Sequence, residues 1–292
     1  MKYSTQKSIL LFVVGFLFVP LFASAHQPRI VEGRQTIVQS PEISKAYYGT
    51  LTGVPDVYTI TSATAFDLYV GVLVPDLAGQ KKDVTATITK VDDQGVKGAE
   101  IAPLATLAGP SSDWKKFFEP FGHDTYWQGP EYRSRAEPGT YEIRVSSPQN
   151  DTKYSLAIGE IEAFDFKEGM NALILVPQLK KDFFNESPIG FILSPMGWGF
   201  IVIMYVLAFI FGFIFRFIAR KVAKSSPAKA SKNINTQDRL IRAGLGIILL
   251  LLAILTTWNI LLIFLSGFCL FEAIFSWCAF NQVIGKNTCP VE

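Results

Sequence analysis

Hydrophobic residues follow two rhythms along this chain. Between Val31 and Asp165 they alternate with polar residues, whereas from Met196 onward they run together in long uncharged stretches. Period-two alternation puts every second side chain on one face of a strand. Phe66, Leu68, Val70, Val72 and Val74 form one such face, Val84, Ala86 and Ile88 a second, and Tyr141, Ile143 and Val145 a third. Asp92, Asp93, Gln94 and Gly95 read as a turn, and Pro138 and Gly139 as the entry to the third strand. Tyr154, Leu156 and Ile158 complete a hairpin around Pro148 to Thr152. Short strands separated by turn residues, with no long amphipathic helix until after Phe164, predict an all-β, jelly-roll-like antiparallel sandwich over residues 26–165.

The second rhythm predicts about three transmembrane helices. Residues 166–194 mix Met170, Leu173, Ile174, Leu179, Phe183 and Phe184 with Lys167, Lys180 and Lys181. That pattern suits a short helix on the membrane surface, interrupted at Pro177. Residues 195–217 are uncharged from Met196 to Phe215, with Arg216 closing the run, a spanning helix by length and composition. Leu240 to Ile274 is too long for one span and suits two short ones turning at Thr256 to Asn259, within a hairpin and tail over residues 239–292. The linker over residues 218–238 and its flanks carry Arg216, Arg220, Lys221, Lys224, Lys229, Lys232, Arg239 and Arg242 against the single acid Asp238. The positive-inside rule puts this connector and the C-terminus in the cytoplasm, and its small, polar Ser225–Ser231 piece can also attract anionic membrane lipids.

Residues 1–25 agree with that topology. Lys2 and Lys7 precede an uncharged run from Ile9 to Phe22 and then Ala23, Ser24 and Ala25, the order of a cleavable secretory signal. The domain beyond Ala25 is then extracytoplasmic, in the periplasm or outside the cell. Composition adds two limits. The 49% hydrophobic content and 24 phenylalanines of this 292-residue chain concentrate at the N-terminus and after Pro188. A net charge of +2 over the whole chain excludes the basic footprint of a nucleic-acid binder.

Candidate chemistry lies in four places. From Trp114 to Tyr132 the rings of Trp114, Phe117, Phe118, Phe121, Tyr126, Trp127 and Tyr132 are interleaved with Glu119, His123, Asp124 and Glu131, and broken by Pro120, Gly122, Gly129 and Pro130. The breakers predict a long loop. Its rings either close one end of the sandwich or hold an envelope glycan or membrane protein partner, with Trp114, His123, Asp124, Tyr126, Trp127 and Glu131 as the candidate ligand contacts. Glu272 is an acid inside the apolar hairpin and predicts an ion pair with Arg239 and Arg242. The three cysteines, Cys269, Cys278 and Cys289, lie outside the sandwich, and the ten residues between Cys278 and Cys289 are not a standard metal-ligand spacing, though the two remain a candidate pair.

The chain has two histidines, and cleavage after Ala25 makes His26 the new N-terminus. A terminal histidine offers its amine and its imidazole to one copper ion, and His123 with Asp124 can add ligands. The arrangement resembles the histidine brace of copper-binding periplasmic proteins and copper oxygenases. Against it stand two unrelated surface histidines. No nucleophile elbow, phosphate loop, H-E-x-x-H or dinucleotide fingerprint is present in the sequence, which disfavours the common classes of catalysis.

Two resemblances go further. Tyr48-Gly-Thr-Leu-Thr-Gly53, Asp56 to Ile60, Gly139 to Val145 and Tyr154 to Ile158 resemble the strand grammar of pre-peptidase C-terminal sandwiches, which implies a binding or accessory module without a fixed catalytic set. Asn235, Asp238-Arg-Leu-Ile-Arg242, Gly244, Gly246, Trp277, Cys278, Gly285 and Asn287-Thr-Cys-Pro290 resemble the YgaP-like transmembrane domain family, which implies an inner-membrane helical hairpin. The chain lacks the rhodanese domain of some relatives, so their sulfurtransferase activity is not implied. The expectation is a membrane-anchored extracytoplasmic binding or accessory protein. The alternatives are a copper-binding or redox protein and a structural subunit of a membrane complex.

Overall fold

The computed structural model describes residues 26–91, 103–222 and 232–288. The signal-like segment, the Asp92–Gly95 turn, Lys224, the Ser225–Ser231 piece and Cys289 lie outside the described residues. The chain forms two compact units that divide between Asn185 and Glu186.

The first unit is a sandwich of two sheets. Numbered in chain order, the first sheet runs β1 (Gln27–Ile30), β3 (Lys45–Thr50), β11 (Lys153–Ile158), β5 (Phe66–Pro75), β9 (Asp124–Ala136), β8 (Lys115–Glu119). The second runs β2 (Gln35–Val38), β4 (Asp56–Ser62), β10 (Gly139–Ser146), β6 (Thr85–Val91), β7 (Ala105–Ala108). The strand faces expected from period two all point into the core between the sheets: Phe66 to Val74 from β5, Ala86 and Ile88 from β6 with Val84 just before it, Tyr141 to Val145 from β10, and Tyr154 to Ile158 from β11. The pairing is not wholly antiparallel. β1 joins β3 and β2 joins β4 in parallel, because the chain crosses from one sheet to the other after each of these short first strands.

The outer face of the first sheet is covered too. Helix α1 (Phe166–Asp182) begins on Asp165, whose side chain accepts from the Glu168 N–H, and Glu168 takes both guanidinium nitrogens of Arg29 on β1 at 2.8 and 2.9 Å. At its other end Leu179, Phe183 and Phe184 pack with Tyr126, Tyr48 and Leu73. Leu179, Phe183 and Phe184 of the stripe expected to lie on a membrane surface are therefore spent on the sheet, while Ile174 is exposed. Pro177 does not interrupt the helix, because it sits on the buried face, where packing holds the turn that lost one hydrogen bond.

The second unit contains α2 (Pro195–Val222), α3 (Thr236–Thr256), α4 (Ile260–Phe275) and the short α5 (Ala279–Ile284). Two of these, α2 and α3, are long and apolar enough to cross a membrane, while α4 has 16 residues, a short span. The chain turns between α3 and α4 at Thr257 to Asn259, where Trp258 adopts a φ of 55° and buries its indole N–H on the Pro188 carbonyl at 2.8 Å. Small residues let the helices approach. A Cβ on Gly212 would sit 2.5 Å from the Phe271 ring, and Tyr205 on α2 bonds Ser266 on α4 at 2.8 Å.

Candidate functional site

The aromatic stretch is a hairpin, not a long loop. β8 pairs with β9 from Lys115 opposite Gln128 to Glu119 opposite Asp124. The breakers that suggested a loop are absorbed by a bulge: Gly71 faces Glu131 and Leu73 faces Gln128, leaving Gly129 and Pro130 opposite Val72. On the other side β8 ends at Lys115, so no ladder bond is asked of Pro130 there.

Most of the rings serve the protein's own packing. Trp114 packs on the core and donates its indole N–H to the Gly109 carbonyl at 2.9 Å, and its six-membered ring lies where a Cβ on Gly129 would be, at 2.6 Å. Tyr126 is buried beneath α1, its hydroxyl 3.0 Å from that of Tyr48 and its ring edge-on to Phe184. Trp127 is half-buried. Its N–H donates to Asp76 Oδ1 at 2.8 Å, Lys82 Nζ stands 3.1 Å over its ring, and Lys116 reaches Asp76 Oδ2 at 2.7 Å. The Lys116 ammonium holds the Asp76 carboxyl below the usual range. Phe117 and Phe118, by contrast, are 39% and 50% exposed on β8, beside exposed Lys115 and Lys116.

The acids of the stretch are engaged. Asp124 Oδ1 accepts from Lys180 Nζ at 2.7 Å, with both side chains almost wholly buried. Glu119 accepts the Phe121 and Gly122 N–H groups at 2.7 Å each, and burial pushes its carboxyl up despite them. Glu131 accepts from Tyr69 at 3.2 Å, from Arg133 at 2.7 Å and from the Gln128 amide. Burial works against its charge, but the Arg133 and Gln128 hydrogen bonds outweigh it and hold the carboxyl low. Sequence spacing could not reveal Lys180 as the partner of Asp124, because the two are 56 positions apart.

The structure does not bring the two histidines together. His26 pairs with the Ser44 hydroxyl, and its neighbour Gln27 bonds the Ala163 carbonyl ahead of α1. His123 is exposed at φ 60° beside Lys180, near the far end of that helix. Glu168 and Lys180 mark the two regions, and twelve helical residues rise roughly 18 Å. Burial pushes the His26 imidazole below its ordinary value. Among the described residues no group of three or more His, Cys, Asp and Glu side chains is arranged to hold a metal.

A second polar cluster lies in the helical unit. Arg242 Nε on α3 is 3.1 Å from Glu272 Oε2 on α4, and Glu272 Oε1 accepts the Ala279 N–H at 2.6 Å. Arg239 instead donates to the Ala273 carbonyl at 2.8 Å. Arg242 also places Nη2 2.7 Å from Cys278 Sγ, which is buried. Asn233, which no sequence pattern singles out, clamps the backbone of Cys278 from both sides, accepting its N–H at 2.6 Å and donating to its carbonyl at 2.9 Å. Asn281 closes the ring on the Asn233 carbonyl at 3.1 Å. The only sequence signal for this clamp is a set of polar residues bracketing Trp277 and Cys278.

A folded β-sandwich followed by apolar, membrane-crossing helices defines a class of membrane proteins. Within it, residues 230–292 match the family model "Inner membrane protein YgaP-like, transmembrane domain". Among solved structures, the chain is similar to the pre-peptidase C-terminal domain of a collagenase from Bacillus anthracis, at 16% identity and a TM-score of 0.24, covering 47% of this chain and 97% of that one. It is also similar to CorA, a surface-associated copper-binding protein of Methylomicrobium album BG8, at 7% identity and a TM-score of 0.22, covering 45% of this chain and 98% of that one. No curated protein matches the chain.

Proposed function

We propose that this is a membrane-anchored extracytoplasmic recognition module that presents the β8 edge to an extended, acidic segment of an envelope or membrane protein. In this reading residues 1–25 direct export, the sandwich lies in the periplasm or outside the cell, and the basic connector and C-terminus remain in the cytoplasm. The helices hold the module at the inner membrane.

One observation carries the reading. β8 is the last strand of its sheet, and four of its five residues, Lys115 to Phe118, are exposed. An unpaired edge is a template for a further strand, and edges left bare are ordinarily blunted by charge, proline or cover. Here Lys115, which stands apart from the Lys116–Asp76 pair, supplies positive charge that suits an acidic partner, and the exposed parts of Phe117 and Phe118 supply contact area. Of the other candidate contacts His123 is exposed, but Trp114 and Tyr126 fill internal space, Lys82 covers one face of Trp127, and Asp124 and Glu131 are paired within the unit. Glycan stacking therefore has less to support it than strand addition.

The test is a photo-crosslinking residue in place of Phe118, in full-length protein in its native membrane. One protein adduct is expected, abolished by Lys115→Glu, together with slowed hydrogen exchange of β8 amides when that partner is present. Adducts that are only lipid, or a protein adduct unaffected by Lys115→Glu, would count against this surface.

A further inference from the structure

The last turns of α2 carry a recess of their own. It has a volume of about 640 Å³ and is lined by Phe213, Arg216, Phe217, Arg220 and Lys221. These positions fall at i, i+3, i+4, i+7 and i+8, so one helical stripe supplies them all. The stripe is amphiphilic along its length: Phe213 leads, Arg216 and Phe217 share the next turn, and Arg220 and Lys221 follow toward the helix end.

Depth in the bilayer gives that order a meaning. α2 has 28 residues, while about 20 cross a hydrocarbon core. Trp198 is exposed near the start of the helix, as interfacial tryptophans are, and about 20 residues further on the chain reaches Phe217 and Ile218. Arg220 and Lys221 then stand at the level of phosphates, Phe213 lies against acyl chains, and Arg216 beside Phe217 lies at the boundary, from which its long side chain can reach the same level. Neighbouring rings hold the lining side chains in place. Phe213 packs edge-on against Phe271 and Phe275, at 5.0 and 4.8 Å, and the Arg216 guanidinium stands 6.0 Å from both the Phe275 and Trp277 rings. Lys221 lies over Phe217 at 4.4 Å, which aims its ammonium along the same stripe.

We infer that this recess binds the phosphodiester headgroup of one anionic phospholipid. Arg216 and Arg220 give forked donors suited to phosphate, Lys221 adds a third positive charge at the rim, and Phe213 and Phe217 seat the first part of an acyl chain. The inference rests on the membrane embedding of α2 and is independent of the β8 surface. It goes beyond the general attraction of a basic helix end, because two phenyl rings and three cations on one stripe offer a single lipid both chain and headgroup contacts, whereas a diffuse field enriches many.

The experiment uses full-length protein in detergent, supplied with phosphatidylglycerol, phosphatidylcholine or inorganic phosphate, with retained lipid counted by native mass spectrometry and unfolding followed by heat. One phosphatidylglycerol per chain is expected to be retained over phosphatidylcholine. R216Q/R220Q lowers that retention roughly thirtyfold, as two interfacial charges should. K221E, at the exposed rim, weakens it without loss of fold, F217A weakens it with every charge kept, and K232Q, outside the recess, leaves it unchanged. Three results would overturn the site: equal retention by R216Q/R220Q and K221E, an equal loss in K232Q, or the same stabilisation by inorganic phosphate alone.

Discussion

Tyr154 reaches across the sandwich core to a polar group that could not otherwise stay there. Its hydroxyl donates to Asp56 Oδ2 at 2.7 Å and lies 2.8 Å from the Tyr58 hydroxyl, while Asp56 is only 5% exposed. A Cβ on Gly49 would fall 2.6 Å from the Tyr154 ring, so glycine makes the room. Tyr154→Phe keeps the ring and strands the carboxylate, and should cost about 1–3 kcal/mol in chemical unfolding. The sign of the pH dependence comes from the same burial. Desolvation raises the Asp56 carboxyl above its ordinary value, so its contribution is fully present below the ordinary carboxyl range and fades as pH rises through the raised value. The Asp56→Asn protein should lose that part of the gain in melting temperature on acidification; an unchanged profile would remove Asp56 from this role. At this scale the sequence speaks through isolated anomalies. Glu272 stands out as an acid in an apolar run, but the assignment of Arg242 to it, and of Arg239 to a carbonyl, depends on helix rotation that no spacing encodes.

Among elements, the hairpin and the helix beside it are joined by Asp124 and Lys180, a buried pair at 2.7 Å. Removing one partner leaves a charge without its counter-ion in a dry place, so Lys180→Met should destabilise the first unit by about 3–5 kcal/mol. The double variant Asp124→Leu with Lys180→Met should cost clearly less than the sum of the two single changes in urea unfolding; strict additivity would show that the pair does not act together. Strand legibility differs here for a physical reason. Phe66 to Val74 can be read because one face is core throughout, so alternation survives. β9 cannot, since its Gly129–Pro130 bulge mimics a loop and its two faces meet different neighbours, Trp127 the sandwich core and Tyr126 the cluster under α1. The amphipathic stripe of α1 is equally readable as a helix and equally silent about its partner, because a sheet face and a membrane surface ask for the same pattern.

For the whole molecule, the change of rhythm near Pro188 marks the passage from strands to apolar helices, and residues 230–292 match a transmembrane family model. The function proposed here depends on the sandwich and the basic connector lying on opposite sides of the membrane, since an edge strand awaiting an envelope partner is useful only outside the cytoplasm. The most direct measurement places a specific protease site either at the exposed Ala63 and Thr64 after β4 or in the Ser225–Ser231 segment and adds the protease to intact spheroplasts. Cleavage is expected at the first site in intact spheroplasts and at the second only after lysis. Cleavage at the second site in intact spheroplasts, with the first protected until lysis, would contradict the proposed topology and the recognition role built on it.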